Sequence, residues 1–557
     1  MGRYVIGNVV HPETGEVLVE DNTMINEKQA AALDVLCSET GEKSASSETL
    51  RSAVRELRIC AEKPDEIKRR LGSLRDGVTN VSAWLNDNKK QPLEMDYLTI
   101  TAPGDEHPIP TATFWEEVVH FFKSFFASFT EDYNSISDSS AEDAISIWIT
   151  DGREQMQALK TLINSSFTVE SGIPVKLTLT QGGLYEALLA GVGPDLAIGQ
   201  ARITPVNYAS RGIAVALDDF DTFDQVATRF MDGALDCYQM GGKTYGLPVT
   251  QNFFMLFYRK DIFQEMGLSV PTTWDEFINV TKTLQSNNMT VRLPYSSITL
   301  AGVQDAGIGM KDIFATLFLQ KGGNFYSDDM TETQLGSDAG LEAFKFWTSF
   351  YTEIGVQVDV DFQTRFRTGE VPMGIENVVM YNTLSAVGSE IRGLWAMAPL
   401  PGTVQADGSV NYTAAEGGTA CLIFNSAKNY ENCWKFLDWY TRADTQHEYG
   451  TQVENMLGVA SRYYSANLEA FSRLPWKQDE LNVMESQRSR CTVIPEVPGA
   501  YFFPRCIDSA FRDVQNKKKN SREVWLREVK TINKELDRKN KELGTGKYAE
   551  NKEEEGK

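Results

Sequence analysis

The stretch between residues 144 and 200 limits the fold more than any other part of this 557-residue chain. In AISIWIT, Ile145, Ile147 and Ile149 alternate with the period of two expected of a strand. Met156, Leu159, Leu162 and Ile163 then fall on one helical face. VKLTLTQ (175–181) reads as a second strand, LYEALLAGV as a helix and PDLAIGQ (194–200) as a third strand. Strand and helix alternating at this spacing build parallel βαβ units, with helices on both faces of an α/β sheet. Ligands of such sheets sit at the carboxyl ends of the strands, which here singles out Thr150, Asp151, Gln181 and Gln200.

A chain of this length exceeds one ordinary core, so roughly two to four domains are expected. Residues 1–92 open with a hairpin-like stretch, YVIGNVVHPETGEVLVE, turning at Pro12–Gly15. Three short amphipathic patterns follow, at Leu50, Val54 and Leu57, at Ile67, Leu71 and Leu74, and at Val78, Val81 and Leu85. They predict a small helical bundle that needs a partner for its apolar faces. Residues 93–143 read as a linker, with Pro103, Gly104, Pro108 and Pro110 ahead of the polar tract SISDSSAED. Beyond residue 250 the patterns are mainly helical. Thr273 and Glu276 have the spacing of a capping box, TACLIFN (419–425) predicts a strand, and NYENCWKFLDWYT predicts a helix. A last helix at about 521–543 puts Trp525, Val529, Ile532, Leu536 and Leu543 on one seam, and 544–557 is expected to be a disordered tail.

Charge excludes some partners. A net charge of −23 opposes nucleic acid and an anionic membrane surface, and is compatible with a neutral ligand such as a sugar. No run of 18 apolar residues exists, so no transmembrane segment is expected. The opening MGRYVIGNVVHPETG lacks a basic head, apolar middle and small-residue cleavage site, which leaves two placements: an intracellular protein, or a start that lies upstream. Seven scattered cysteines without metal-like spacing favour mostly buried free thiols over a disulfide framework. Four histidines far apart in sequence do not suggest a metal centre, and no cofactor is expected.

The chemical motifs are few. GGKT within GGKTYGLP (241–248) resembles the tail of a phosphate loop, but Cys237 stands where that loop needs its first glycine and a strand-like segment follows. A Gly-Gly turn between two strands is the better reading. Asp219, Asp221 and Asp224 imitate a calcium loop, yet Asp224 and Phe230 occupy the positions that need glycine and a bidentate glutamate. Paired carboxylates for glycoside hydrolysis remain open among 77 acidic residues, since only geometry would identify a pair. Trp148, Phe253, Phe254, Tyr381, Trp395, Tyr501 and Phe502 form a surplus of aromatics near strand ends and loops. Such rings can stack on the apolar faces of sugars or simply pack a core.

Four segments together resemble the family 1 extracellular solute-binding proteins of ABC importers, the carbohydrate-binding group that includes maltose-binding protein. They are YQMGGKTYGLPVTQNFFMLFYRKDIFQEMGLSVPTTWDEF (238–277), GVGPDLAIG (191–199), RFRTGEVPMGIEN (365–377) and EGGTACLIFNSAKNYENCWKFLDWYT (416–441). The likeness covers about 144–505, in order, with Pro372 in place of a usual small residue. It implies a two-lobed periplasmic-binding-protein-like fold of the class II type with a hinge between the lobes, preceded by the small helical region. Lobe 1 would comprise 144–250 with about 412–447, and lobe 2 would comprise 251–411 with about 448–543.

Carried over by motif position, ligand contacts are expected at Thr150, Asp151, Gln200, Asn252, Phe253, Glu376, Asn377, Tyr381, Glu416 and Gly417, with Trp395 as a stacking platform; Gln181 joins them by its place at a strand end. The resemblance further implies a non-catalytic receptor at the extracellular face of the cell membrane. It would deliver a carbohydrate ligand, an oligosaccharide, to ABC transporter permease subunits. The family's signal peptide and lipid-modified cysteine are not found, and the region 1–92 looks like the middle section of longer Gram-positive versions. An N-terminally truncated product is therefore expected. Three rivals stay open: a glycoside-processing enzyme, an extracellular sugar-sensing module, and the same fold binding a non-sugar solute.

Overall fold

The computed structural model describes residues 143–548 except 181, 296–311 and 359, together with short pieces at 9–10, 17–19, 54–55, 58–59 and 63. The chain divides into two compact units, Met1–His120 and Phe121–Lys557. In the first, β1 (Val9–Val10) pairs antiparallel with β2 (Val17–Val19), as the opening hairpin pattern predicts. The turn at Pro12–Gly15 and the helical patterns from Ile67 to Leu85 lie outside the described residues.

In the second unit β3 (Ile145–Ile149) lies between β4 (Val175–Leu179) and β5 (Leu196–Ala201), all parallel. The Pro-Asp entry to β5 has a structural reason. The Asp195 carboxylate accepts the backbone N–H groups of Ser146 (2.7 Å) and Lys428 (3.1 Å), tying the start of β3 to a late segment. The Gly-Gly turn joins β6 (Gln239–Met240) to β7 (Lys243–Thr244). Gly241 and Gly242 both have positive φ (58° and 74°), as a two-residue hairpin of the type I′ form requires. The neighbouring acidic run braces this hairpin: Asp218 accepts from the Thr244 backbone and Asp219 pairs with Lys243.

Two long strands then set the architecture. β8 (Leu247–Arg259) runs for 13 residues and β14 (Ala414–Ile423) for 10. Between them come β9 (Val291–Arg292), β10 (Met373–Asn377), β11 (Trp395–Ala398), β12 (Thr403–Val404) and β13 (Val410–Asn411); β15 (Cys491–Thr492) follows. The main sheet has the order β4-β3-β5-β14-β8-β10-β9, with β11 also on β8 and β15 on β14. A strand from late in the chain is thus inserted, antiparallel, between β5 and β8.

The helices used below are α1 (Arg153–Leu162), α2 (Trp274–Ser286), α3 (Asp338–Thr352), α4 (Tyr430–Tyr440), α5 (Ala443–Leu457), α6 (Gln478–Arg488), α7 (Phe503–Lys517) and α8 (Ser521–Leu543). They pack into two cores. One gathers Ile147, Leu159, Leu196, Phe436 and Leu437 from β3, α1, β5 and α4. The other gathers Phe277, Phe344, Trp347, Phe511 and Trp525 from α2, α3, α7 and α8. Each such side chain, fully buried, contributes about 1.5–3 kcal/mol. The long strands belong to both cores: β8 gives Leu247 and Val249 to the first and Phe253 to Phe257 to the second, while β14 gives Cys421 and Ile423 to the first and Ala414 and Ala415 to the second. The second unit therefore has two lobes, and the sheet runs unbroken between them. The described cysteines, 237, 421, 433, 491 and 506, are free and buried, in line with their scatter in sequence.

At the far end, Gly546–Tyr548 form a turn and the Tyr548 hydroxyl donates to Asp537 of α8 (3.0 Å). The start of the expected disordered tail is therefore held to the helix; 549–557 lie outside the described residues. Among the described residues no helix is long and apolar enough to cross a membrane.

Candidate functional site

The lobes meet where β8 and β14 cross from one core to the other, joined by a third segment at 464–466. The Gln251 N–H donates to the Tyr464 carbonyl and the Ala466 N–H to that of Val249, both at 3.0 Å. The Gly-Gly of EGGTACLIF lies at the crossing. A Cβ on Gly418 would sit 2.0 Å from the Thr250 carbonyl oxygen, so only glycine lets β14 approach β8 there. Beside it, Thr250 and Thr419 join their hydroxyls across the strands at 2.8 Å.

Two buried arginines lock this crossing. Arg202, 2% exposed, follows β5 and points into the junction. Its Nη1 donates to the Glu416 carboxylate (3.0 Å) and carbonyl (2.7 Å), and its Nη2 to the Ile494 carbonyl (3.0 Å), beyond β15. Arg488, at the end of α6, donates through Nε to the Gln251 side-chain oxygen and through Nη2 to the Ser465 (3.2 Å) and Ala466 (3.0 Å) carbonyls. Burial pushes its guanidinium down to about 10, which leaves it charged at neutral pH. Both lobes and all three connections are thus bonded to one small polar core.

A pocket opens beside that core, between segment 230–238 of the first lobe and the crossing strands. Phe230, Met231, Tyr238, Gln251, Glu416 and Gly417 line it. The Gln251 oxygen is taken by Arg488, whereas its Nε2 meets the Met231 sulfur at 3.7 Å, a weak acceptor. Its lining thus includes an amide donor, a carboxylate already paired with Arg202, and two aromatic side chains, Phe230 and Tyr238, that are themselves buried. Among the described residues no group of histidines, cysteines and carboxylates is placed to hold a metal ion.

Strand register brings four of the residues expected from sequence to this crossing. Gly417 lies opposite Asn252, and Glu416 opposite Phe253. Phe253, only 1% exposed, turns into the second core and leaves no face for a ligand. Gln200, also buried, lies across from Ala420, one strand away, with its amide 3.4 Å from the Ile198 carbonyl.

The others are engaged in one lobe or the other. Thr150 donates to the Gly199 carbonyl (2.7 Å) and braces β3 against β5. Asp151 receives a hydrogen bond from Tyr449 of α5; burial pushes its carboxyl up to about 6, and that bond offsets part of the rise. Glu376 pairs with Arg292 at 2.8 Å, and Asn377 accepts the Val379 N–H at 3.0 Å. Tyr381 donates to Glu480 and packs its ring against Trp395 and Trp476, so Trp395 is a half-buried part of an aromatic cluster. Gln181 lies outside the described residues. Sequence reasoning missed Arg202, Gln251, Arg488, Phe230 and Tyr238. Only Arg202 carried a signal, as a charge two residues beyond the selected strand end at Gln200.

Two lobes, three connections and a polar pocket at their junction define a two-lobed binding-protein architecture. Solved structures of that class match it. A solute-binding protein of Thermotoga lettingae, bound with α-D-tagatose, superposes with a TM-score of 0.54 at 20% identity, covering 71% of this chain and 100% of that one. The cyclic α-maltosyl-1,6-maltose binding protein of Arthrobacter globiformis gives 0.57 at 18% identity, covering 71% and 98%. In sequence, a putative binding protein of Brucella abortus is 26% identical over 306 residues, 51% of this chain and 69% of that protein. The multiple sugar-binding protein of Streptococcus mutans is 26% identical over 165 residues, 28% of this chain and 37% of that one. The model of the bacterial extracellular solute-binding proteins matches residues 150–447, and the chain belongs to that family. Its members are binding proteins of ABC-type transport systems.

Proposed function

We propose that this chain is a non-catalytic receptor that takes a carbohydrate, an oligosaccharide, at the junction of its lobes and delivers it to ABC permease subunits at the extracellular face of the membrane. The observation that carries this reading is the pair of lobes joined by the crossing strands β8 and β14, in a chain of the extracellular solute-binding family, with the polar residues Glu416 and Gln251 at the crossing. Carboxylate and amide groups bind the hydroxyls of a sugar. Asn252 and Gly417, neighbours on the same crossing, are the further proposed contacts. The ligands of similar proteins, α-D-tagatose and arabinooligosaccharide among them, support sugar as the ligand class. Because the lobes are joined by strands, a ligand that bridges them favours one lobe arrangement over another, a difference that a membrane partner can read.

Calorimetric titration with mono- and oligosaccharides, followed by chromatography of the same samples, tests this. Saturable binding with the sugar recovered intact is expected. Consumption of the sugar would replace the receptor with a glycoside-processing enzyme. Absence of binding to every sugar would move the ligand outside the carbohydrates.

A further inference from the structure

The third connection between the lobes is tied to both of them just before it meets β8. Helix α5, whose Tyr449 and Val453 pack in the first core, ends at Gly458, where φ is 79° and the chain turns away. One short turn later Arg462 reaches back onto α5, and its Nε (2.8 Å) and Nη2 donate to the two carboxylate oxygens of Glu454. The same guanidinium lies over the Trp476 ring, 4.8 Å from its centre. Trp476 packs against the second core, 5.7 Å from Tyr381 between centroids. The Arg462 carbonyl also accepts from the Asn382 amide (2.8 Å), on the short helix Met380–Val387 that gives Tyr381 and Leu384 to that core. The next two residues turn to opposite lobes. Tyr463 packs on Tyr449 of α5, 5.1 Å between centroids, whereas the Tyr464 hydroxyl is within reach of the Val378 carbonyl (3.0 Å) and the Asn382 oxygen (2.9 Å).

A two-pronged arginine–carboxylate pair has a fixed geometry, and a cation over an indole face is held by the charge distribution of the ring. The Arg462 and Glu454 side chains are only 8% and 13% exposed, so solvent screens their pair little. Rotation of one lobe against the other carries Glu454 with the first and Trp476 with the second. A single guanidinium keeps both contacts only near the present angle, so these bonds oppose departure from it. Arg462, Glu454 and Trp476 do not line the pocket, and their effect on a ligand there is indirect.

We infer that Arg462 is a positioning residue, a clasp that holds Glu454 of the first lobe and Trp476 of the second and so sets sugar affinity from outside the binding site. The inference rests on the carbohydrate reading above. The apparent affinity of any ligand is scaled by the fraction of chains in the arrangement that binds it. A clasp that changes this fraction multiplies the affinity of every sugar by one common factor. A residue that touches the ligand has no such uniform effect, because different sugars present different groups to it.

The test compares wild type, Glu454→Gln, Trp476→Leu and the double variant. Each is titrated calorimetrically with maltotetraose, arabinotriose and α-D-tagatose, and its radius of gyration without sugar is measured by small-angle scattering. Each single variant is expected to shift the affinity of every sugar that binds by the same factor, about three- to tenfold, between the effects of an exposed and a buried ion pair. Both are expected to shift it in one direction, and the double variant by less than the product, because both substitutions act through Arg462. The radius of gyration without sugar is expected to change in both. Unchanged affinities together with an unchanged radius of gyration would overturn the clasp and leave the carbohydrate reading standing, as would factors that differ from sugar to sugar. Failure of wild type to bind any of the three sugars would overturn the carbohydrate reading, and the radius of gyration would then decide the clasp alone.

Discussion

At the scale of single residues, the junction combines close backbone contact with buried charge. Glu416→Gln would remove the carboxylate that pairs with the buried Arg202, and breaking a buried pair in this way costs about 3–5 kcal/mol. Chemical denaturation is expected to show a loss of that size. Gly418→Ala would drive a methyl group into the Thr250 carbonyl and is expected to cost about 1–3 kcal/mol by the same measurement. Asp151 gives a pH dependence of defined sign. Its carboxyl titrates at about 6 in the folded chain against an ordinary value of 3.8, so the folded form holds the proton more tightly. The resulting stabilisation is complete below about pH 4 and lost as pH rises through about 6. Asp151→Asn should flatten that part of the stability profile, read as melting temperature against pH.

At the scale of elements, the sequence was most legible where a local pattern carried the whole signal. The alternating isoleucines of β3 pack as the period of two implies, and Thr273 caps α2 with Glu276 reciprocating. Thr273→Ala should therefore cost about 1 kcal/mol, measured by denaturant titration. The last helix runs from Ser521 to Leu543, where its apolar seam placed it. The short strands β9, β11 and β15 were not legible, because two to four residues carry no usable period and only pairing with a long strand makes them strands. The polar core was hidden for a related reason. Arg202, Arg488 and Glu496 are buried because distant parts of the chain supply their counter-charges, and no local pattern records such partners. Glu416 and Gly417 were singled out only because a family resemblance marks them; Phe253, marked in the same way, turns into the core.

At the scale of the whole molecule, the architecture follows from two strands long enough to serve two cores. The arrangement of the lobes is then held by bonds concentrated at one junction, and a ligand placed there has leverage over it. Small-angle scattering is expected to show a smaller radius of gyration when a saturating sugar is added, and no change with a sugar that does not bind. The most direct test of the central claim is a crystal structure of the chain with the sugar that binds it. The account predicts an intact saccharide between the lobes, within hydrogen-bond distance of Glu416 or Gln251 on the crossing strands. A saccharide seated on the outer face of a single lobe, or found cleaved, would contradict it.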